Sequence, residues 1–248
     1  MRIMLTLAYD GSEYKGWQLQ KNDPTIQGFV EDALRTICGF RVPVHGSGRT
    51  DSGVHALGQT AHFDPPGDKA LLPWQRALNS LLPDSIRVVR SQTVSHDFHA
   101  RFSAVSKTYS YTLWTEPDFV FPQRRNFVWQ SGRLNLEAMR EASRHLLGAR
   151  DFKAFMNSGT TVADTIRQIQ AISFNPGFYP QELVIRISAD GFLKQMVRNI
   201  VGALVIIGRK KYPPDHLEQV LLSGQRALAP ATAPARGLCL EYVGYPGE

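Results

Sequence analysis

Cysteine is scarce: Cys38 and Cys239 are the only two in 248 residues. They stand outside the paired spacings of a disulfide framework or a zinc site, and suit a reducing compartment, so the cytoplasm is the expected location. Long apolar runs are missing too. The most apolar window, FLKQMVRNIVGALVIIG, carries Lys194 and Arg198 inside it, and the apolar stretch of MRIMLTLAYDG is short for a secretory signal. Neither export nor a membrane span is expected. No segment is biased enough to read as disordered, and Ala229 to Ala235 (APATAPA) reads as a short loop. Acidic residues are the minority, 22 against 28 Lys and Arg, for a net charge of +6 at pH 7. That surplus favours a polyanionic partner, weakly.

What is present is hydrophobic periodicity in a repeated order. RIMLTLAY alternates as a strand, and Thr25 to Cys38 has helical spacing with Gly39 as its stop. Strands near 41 to 46 and 57 to 64, a helix from Pro73 and the strand SIRVVRSQTV follow. From Ser103 the order recurs: the strand SAVSKTYSYTLW, a helix 135 to 147, the strands TIRQIQAISF and ELVIRISAD, a helix 192 to 207, a short helix near 215 to 223 and the strand RGLCLEYVGY. The expectation is an α+β protein of two ferredoxin-like, RRM-like βαββαβ halves, residues 1–102 and 103–248. Their antiparallel sheets would lie side by side with the active cleft between them.

The stretch GSGRTDSGVHA, residues 46 to 56, packs glycines and small hydroxyl residues around Arg49 and Asp51. It lacks the Lys-Ser/Thr ending of a Walker loop and the G-x-G-x-x-G of a dinucleotide loop. An acid at its centre would repel a phosphate. Two readings stand: a loop built to present Asp51, and an ordinary turn, the more economical reading on those residues alone.

Further on, Arg198 sits among Met196, Val197, Ile200 and Val201. It either snorkels to water from the helix edge or, if buried, needs a carboxylate. Asp51 in an inter-domain cleft would supply one, and the arginine would hold that carboxylate ionised. In HDFHARFSAVSKTYSYTLW, His96 and His99 lack the further ligands a metal site requires. Lys107, Tyr109 and Tyr111 share one strand face, either core or a platform for a stacked base, and Arg101 and Phe102 upstream favour a ligand face. The clusters Arg124-Arg125, Arg140 with Arg144, Arg150 with Lys153, and Arg209-Lys210-Lys211 are solvated surface or a track for a phosphate backbone.

Taken together, G-x-GRTD-x-GVHA, ARF-x-A-x-x-K-x-Y-x-Y, FLKQMVRNIVG and the terminal AP-x-x-GL, with the opening YDGSEYKGWQLQ, resemble the tRNA pseudouridine synthase A family over nearly the whole chain. The resemblance implies isomerisation of uridine to pseudouridine in the anticodon arm of tRNA, at positions 38–40 of the stem-loop, with Asp51 as nucleophile attacking C6 of the uracil or C1′ of the ribose. A free aspartate is already charged at neutral pH, and isomerisation neither oxidises nor adds anything, so no cofactor or metal is implied. By similarity Arg49 holds the flipped nucleotide, Tyr109 stacks on the uracil or shuttles a proton, Leu238 caps the base, and Arg198 partners Asp51. Lys107 joins the substrate face, while Arg101, Arg209, Lys210 and Lys211 meet the RNA. A homodimer cradling the tRNA is implied as well. The chain departs from the family at Ser52, where alanine is usual, and at Cys239, where an aromatic would be expected. Two other functions fit the same residues: a non-catalytic RNA-binding or RNA-remodelling protein, and an unrelated hydrolase with an aspartate nucleophile.

Overall fold

The computed structural model describes residues 1–157, 159 and 162–247. In chain order its strands and longer helices are β1 (Arg2–Tyr9), α1 (Ile26–Cys38), β2 (His45–Gly46), β3 (His55–Phe63), α2 (Trp74–Asn79), β4 (Ile86–Val94), β5 (Ser106–Trp114), β6 (Trp129–Gln130), α3 (Leu136–Ser143), β7 (Gly148–Asp151), β8 (Ile166–Pro176), β9 (Glu182–Ala189), α4 (Met196–Gly208), α5 (His216–Ser223) and β10 (Leu238–Gly244). The fold is α+β. It divides into two compact units, Met1–Val105 with the chain from Cys239 onward, and Ser106–Leu238. Among the described residues no helix is long and apolar enough to cross a membrane.

In the first unit β1 lies antiparallel between β4 and β3. The other edge of β3 is shared: β2 pairs antiparallel at Ala61 and His62, and β10 pairs parallel at His55 and Ala56. The order β4-β1-β3-β2 is the one a βαββαβ chain makes when it closes a split βαβ sheet. Alternation along β1 buries Ile3, Leu5, Leu7 and Tyr9. Phe63, beside Ile3 in register, meets Trp74 of α2 edge-on at 4.9 Å. Ile26, Val30 and Leu34 of α1 are fully buried. Each such side chain contributes about 1.5–3 kcal/mol of burial. Helix α1 starts where it does because Thr25 is extended and its hydroxyl accepts from the Gly28 N–H; it stops at Gly39, whose left-handed φ of 82° lets its N–H reach the Arg35 carbonyl.

In the second unit the order is β5-β9-β8-β7, antiparallel throughout, with β6 parallel to the end of β5. Helix α4 is buried on nearly every side. The loop 229–235 straps across it so closely that a Cβ on Gly202 would stand 2.2 Å from the Ala231 carbonyl.

Several elements differ from the sequence expectation. The strand near 41 to 46 shrinks to two residues, because Pro43 has no N–H and Val44 gives its N–H to the Glu31 carboxylate. The helix expected from 192 begins at Met196, after Gln195 turns left-handed at φ 60°. The helix expected over 135–147 ends at Ser143, followed by a 3₁₀ turn over Arg144–Leu146 and then by β7, which was not expected. Strand β10, expected to close the second half, packs with the first unit, so the division differs from 103–248 at the C-terminal end.

One buried histidine has a consequence for stability. His62 is 1 % exposed and its Nδ1 accepts the Ala100 N–H, which fixes the neutral tautomer. Burial, followed by the charges of Arg2, His99 and His45, pushes its pKa down from 6.5 to about 4. The unfolded chain therefore takes up this proton first as pH falls. The contribution is complete above about pH 6.5 and is lost progressively towards pH 4. His62→Asn keeps an acceptor near the Nδ1 position and removes the titration. Melting temperatures from pH 7 to pH 4 should fall less steeply in this variant than in the wild type; identical slopes would assign the acid sensitivity elsewhere.

Candidate active site

The loop between β2 and β3 is fastened at almost every residue. Ser47 gives its N–H to the Thr60 carbonyl and its hydroxyl to Gln59 Oε1, while Gln59 Nε2 donates to the Gly48 carbonyl. Thr50 is buried: its hydroxyl meets the Tyr9 hydroxyl at 2.9 Å and its carbonyl accepts the Trp17 N–H. After Asp51 the chain turns, with Val54 N–H bonding the Asp51 carbonyl and Gly53, at φ 77°, reaching the Tyr14 carbonyl. Ser52, the departure from the resemblance, gives its hydroxyl to the Tyr14 carbonyl as well. The opening block YDGSEYKGWQLQ is thus the clamp that holds Asp51, itself half-buried, in one backbone setting.

Glycines make this clamp possible. Gly16 has φ +91°, and a Cβ there would lie 2.4 Å from the Thr50 carbonyl; one on Gly11 would lie 2.0 Å from the Val54 carbonyl. Gly16→Ala is expected to cost on the order of 1–3 kcal/mol through φ alone, with the backbone clash added. Since the clash displaces Thr50, and with it Asp51, any turnover that depends on Asp51 should fall at temperatures where the variant is still folded. Circular dichroism beside a rate measurement checks this, and unchanged turnover in the folded variant would separate the clamp from catalysis.

Arg49, exposed beside Asp51, is the end of a relay into the helix core. Its Nε donates to Gln18 Oε1, Gln18 Nε2 to Gln27 Oε1, and Gln27 Nε2 to Glu31 Oε1, at 2.8–3.0 Å. Glu31 is buried and is neutralised by Arg41 at 3.1 Å. The relay orients a guanidinium that would otherwise wander in solvent.

In the second unit, Lys107, Tyr109 and Tyr111 alternate along one face of β5. Tyr109 is 9 % exposed and lies edge-on to Phe192 at 5.2 Å. Tyr111 is core: it is fully buried, donates to the Pro234 carbonyl at 2.7 Å, and is packed so tightly that a Cβ on Gly237 would stand 2.5 Å from its ring. Burial raises its phenol well above the usual range, opposed by the positive charges of Arg198 and Arg236. Arg198 is half-buried, and its Nε donates to the Ala233 carbonyl at 2.8 Å while its own carbonyl accepts the Ala233 N–H. Leu238, 6 % exposed, leaves the 3₁₀ turn at the start of β10.

Sequence reasoning passed over what fixes the strap under Arg198. Arg226 places its guanidinium among neutral oxygens: Asn157 Oδ1, Asn199 Oδ1, Thr232 Oγ1 and the carbonyls of Ala229 and Pro230, at 2.8–3.2 Å. Asn199 is fully buried. Burial lowers the Arg226 pKa from its ordinary value. The one available signal was Asn199, a polar residue in an apolar helix.

The basic residues are dispersed. Arg101 is exposed on the turn before β5; Arg209 donates twice to the Ser131 carbonyl and lies over the Trp129 ring at 5.8 Å, leaving Lys210 and Lys211 as exposed charges just past α4. Three imidazoles do gather, His45, His62 and His99, with ring centroids 4.7–5.8 Å apart. Yet among the described residues no group of three or more His, Cys, Asp or Glu could hold a metal ion.

Comparison with known proteins decides the family. The profile of a family described as tRNA pseudouridine synthase matches residues 6–103 and 142–246. The chain belongs to this family. It is 51% identical over 244 residues to the tRNA pseudouridine synthase A of Maridesulfovibrio salexigens, covering 98% of this chain and 90% of that protein. The protein of the same name from Solidesulfovibrio magneticus is 50% identical over 249 residues, covering 98% and 91%. That of Chlamydia trachomatis serovar A is 43% identical over 249 residues, covering 99% and 92%. The matched segments hold Arg49, Asp51, Arg101, Arg198, Arg209, Lys210, Lys211 and Leu238, while Lys107 and Tyr109 fall between them.

Proposed function

We propose that this enzyme converts uridine to pseudouridine in the anticodon arm of tRNA, at positions 38–40, using Asp51 as its nucleophile. Family membership carries the coarser part: the protein is an isomerase that acts on uridine in tRNA. The observation that supports the finer part is the clamp around Asp51. Tyr9, Gly11, Tyr14, Gly16 and Trp17 all contribute to holding one short acidic loop, an outlay that a mere surface turn does not need.

In the proposed reaction the Asp51 carboxylate attacks C6 of the uracil or C1′ of the ribose. The N1–C1′ bond breaks, the base turns, C5 bonds to C1′, and the bond from carbon to the Asp51 oxygen breaks to return the free carboxylate. The C5 proton is lost and N1 gains one, so atoms and electrons balance without an oxidant or a cofactor. Asp51 comes from the first unit and Arg198, Tyr109, Lys107 and Leu238 from the second. Arg198 pairs with the carboxylate, Tyr109 stacks on the uracil or carries the proton, Leu238 caps the base, Lys107 lies along the substrate face, and Arg49 holds the extruded nucleotide. Unstacking the nucleotide costs a few kcal/mol, which phosphate contacts by Arg101, Arg209, Lys210 and Lys211 help to offset. A homodimer working on tRNA in the cytoplasm completes the proposal.

The test is a tRNA transcript tritiated at uracil C5. Isomerisation releases the label as water. Binding alone, as by an RNA-remodelling protein, retains it.

A further inference from the structure

The turn between β4 and β5 displays an aromatic ring that the proposed chemistry does not use. Phe102 is 77 % exposed in a protein whose other aromatic side chains are mostly covered. Solitary exposed apolar residues are ordinary, and the turn around this one is not. His99 Nδ1 accepts both the Arg101 and the Phe102 N–H, and His99 and Ser103 close the turn with two further bonds, His99 N–H to Ser103 Oγ and Ser103 N–H to the His99 carbonyl, both 2.9 Å.

Behind the ring stands a column of aromatics. Phe102 lies 4.4 Å from His99, which lies 4.7 Å from the buried His62. The Arg101 guanidinium lies over the Phe102 ring, 5.6 Å from its centroid. Asp64, beside this region, is engaged by Arg2 through two bonds of 2.7–2.8 Å, and Arg2 also donates to the Phe98 carbonyl at the base of the turn.

Resting on the proposed function, we infer that Phe102, backed by His99 and flanked by Arg101, is a stacking site for an unpaired base of the bound tRNA. An aromatic face accepts any base, and holding the ring in advance removes much of the ordering cost of the contact. The arginine beside it meets the neighbouring phosphate or adds its own planar face, the pairing that single-stranded RNA sites use. Such a contact acts on affinity and leaves the reacting atoms alone.

The test uses the full-length protein carrying Asp51→Asn, so that tRNA binding is read without turnover, at one fixed salt concentration. Adding Phe102→Ala should weaken tRNA binding about 5- to 150-fold, the range that loss of one base stack gives. Phe102→Tyr and Phe102→Trp should restore it and Phe102→Leu should not, with melting temperature and mass in solution unchanged. Transcripts with 5-iodouridine at unpaired positions should crosslink to Phe102 on irradiation. Unaltered affinity in Phe102→Ala, full affinity in Phe102→Leu, or a reduced mass that marks the ring as a contact between copies of this chain would each overturn the inference. Its failure stays distinct from failure of the proposed function, which is read separately as tritium release by the protein with Asp51 intact.

Discussion

Asp51→Asn is expected to end tritium release from C5-labelled tRNA, with turnover lower by about four orders of magnitude or more and tRNA affinity within a few-fold of the wild type. The magnitude is that of removing a covalent nucleophile, where little of the chemical step survives. The substitution is nearly isosteric, and the loop's backbone bonds, such as Val54 N–H to the residue 51 carbonyl, do not depend on the side chain. The amide lacks a charged oxygen to attack carbon, so kcat should carry the whole loss. Normal turnover by the variant would dismiss the mechanism and leave Asp51 a turn residue; a parallel collapse of affinity would point to a role in holding RNA.

In the proposed site, Arg198→Ala should lower kcat by about 10²- to 10³-fold with a smaller change in affinity, the effect expected of deleting one preorganised charge at a reacting centre. The reason lies in how the guanidinium is held. Its Nε bond to the Ala233 carbonyl fixes the plane of the group, and the strap carrying Ala233 is fixed in turn by Arg226 among its oxygens. A lysine in place of Arg198 keeps the charge, but its single ammonium has no fork with which to bond Ala233 and the carboxylate together, so Arg198→Lys should recover only part of the rate. Single-turnover kinetics at saturating tRNA separate the two terms. Full turnover in Arg198→Ala would break the proposed pairing with Asp51.

How much of this could be read from the chain depends on the range of each interaction. Helix α1 was legible to within a residue, since Thr25, the 3.6-residue apolar spacing and Gly39 are local signals and the structure uses all three. The βαββαβ order of the first unit was legible for the same reason; in the second unit β7 and the placement of β10 departed from it. The strand at 41 to 46 and the start of α4 were misjudged where one residue, Pro43 or Gln195, departed from an apolar pattern that otherwise continued. Asp51 drew notice as an acid without a local explanation, and so did Arg198 as a charge in an apolar run.

The sequence by itself determined the alternation that buries one face of β1, the caps of α1, the small residues that let the loop 46–56 turn, and the motifs that mark the family. Only the tertiary structure decided which groups meet those residues: Tyr9 and Trp17 on Thr50, Gln18 and Gln27 behind Arg49, five oxygens from separated segments around Arg226, and β10 beside β3. The physical reason is that burial periodicity and turn chemistry are written within a few neighbouring residues. A buried polar group takes its partner from whatever the folded chain brings within about 3 Å, and sequence separation carries no record of that.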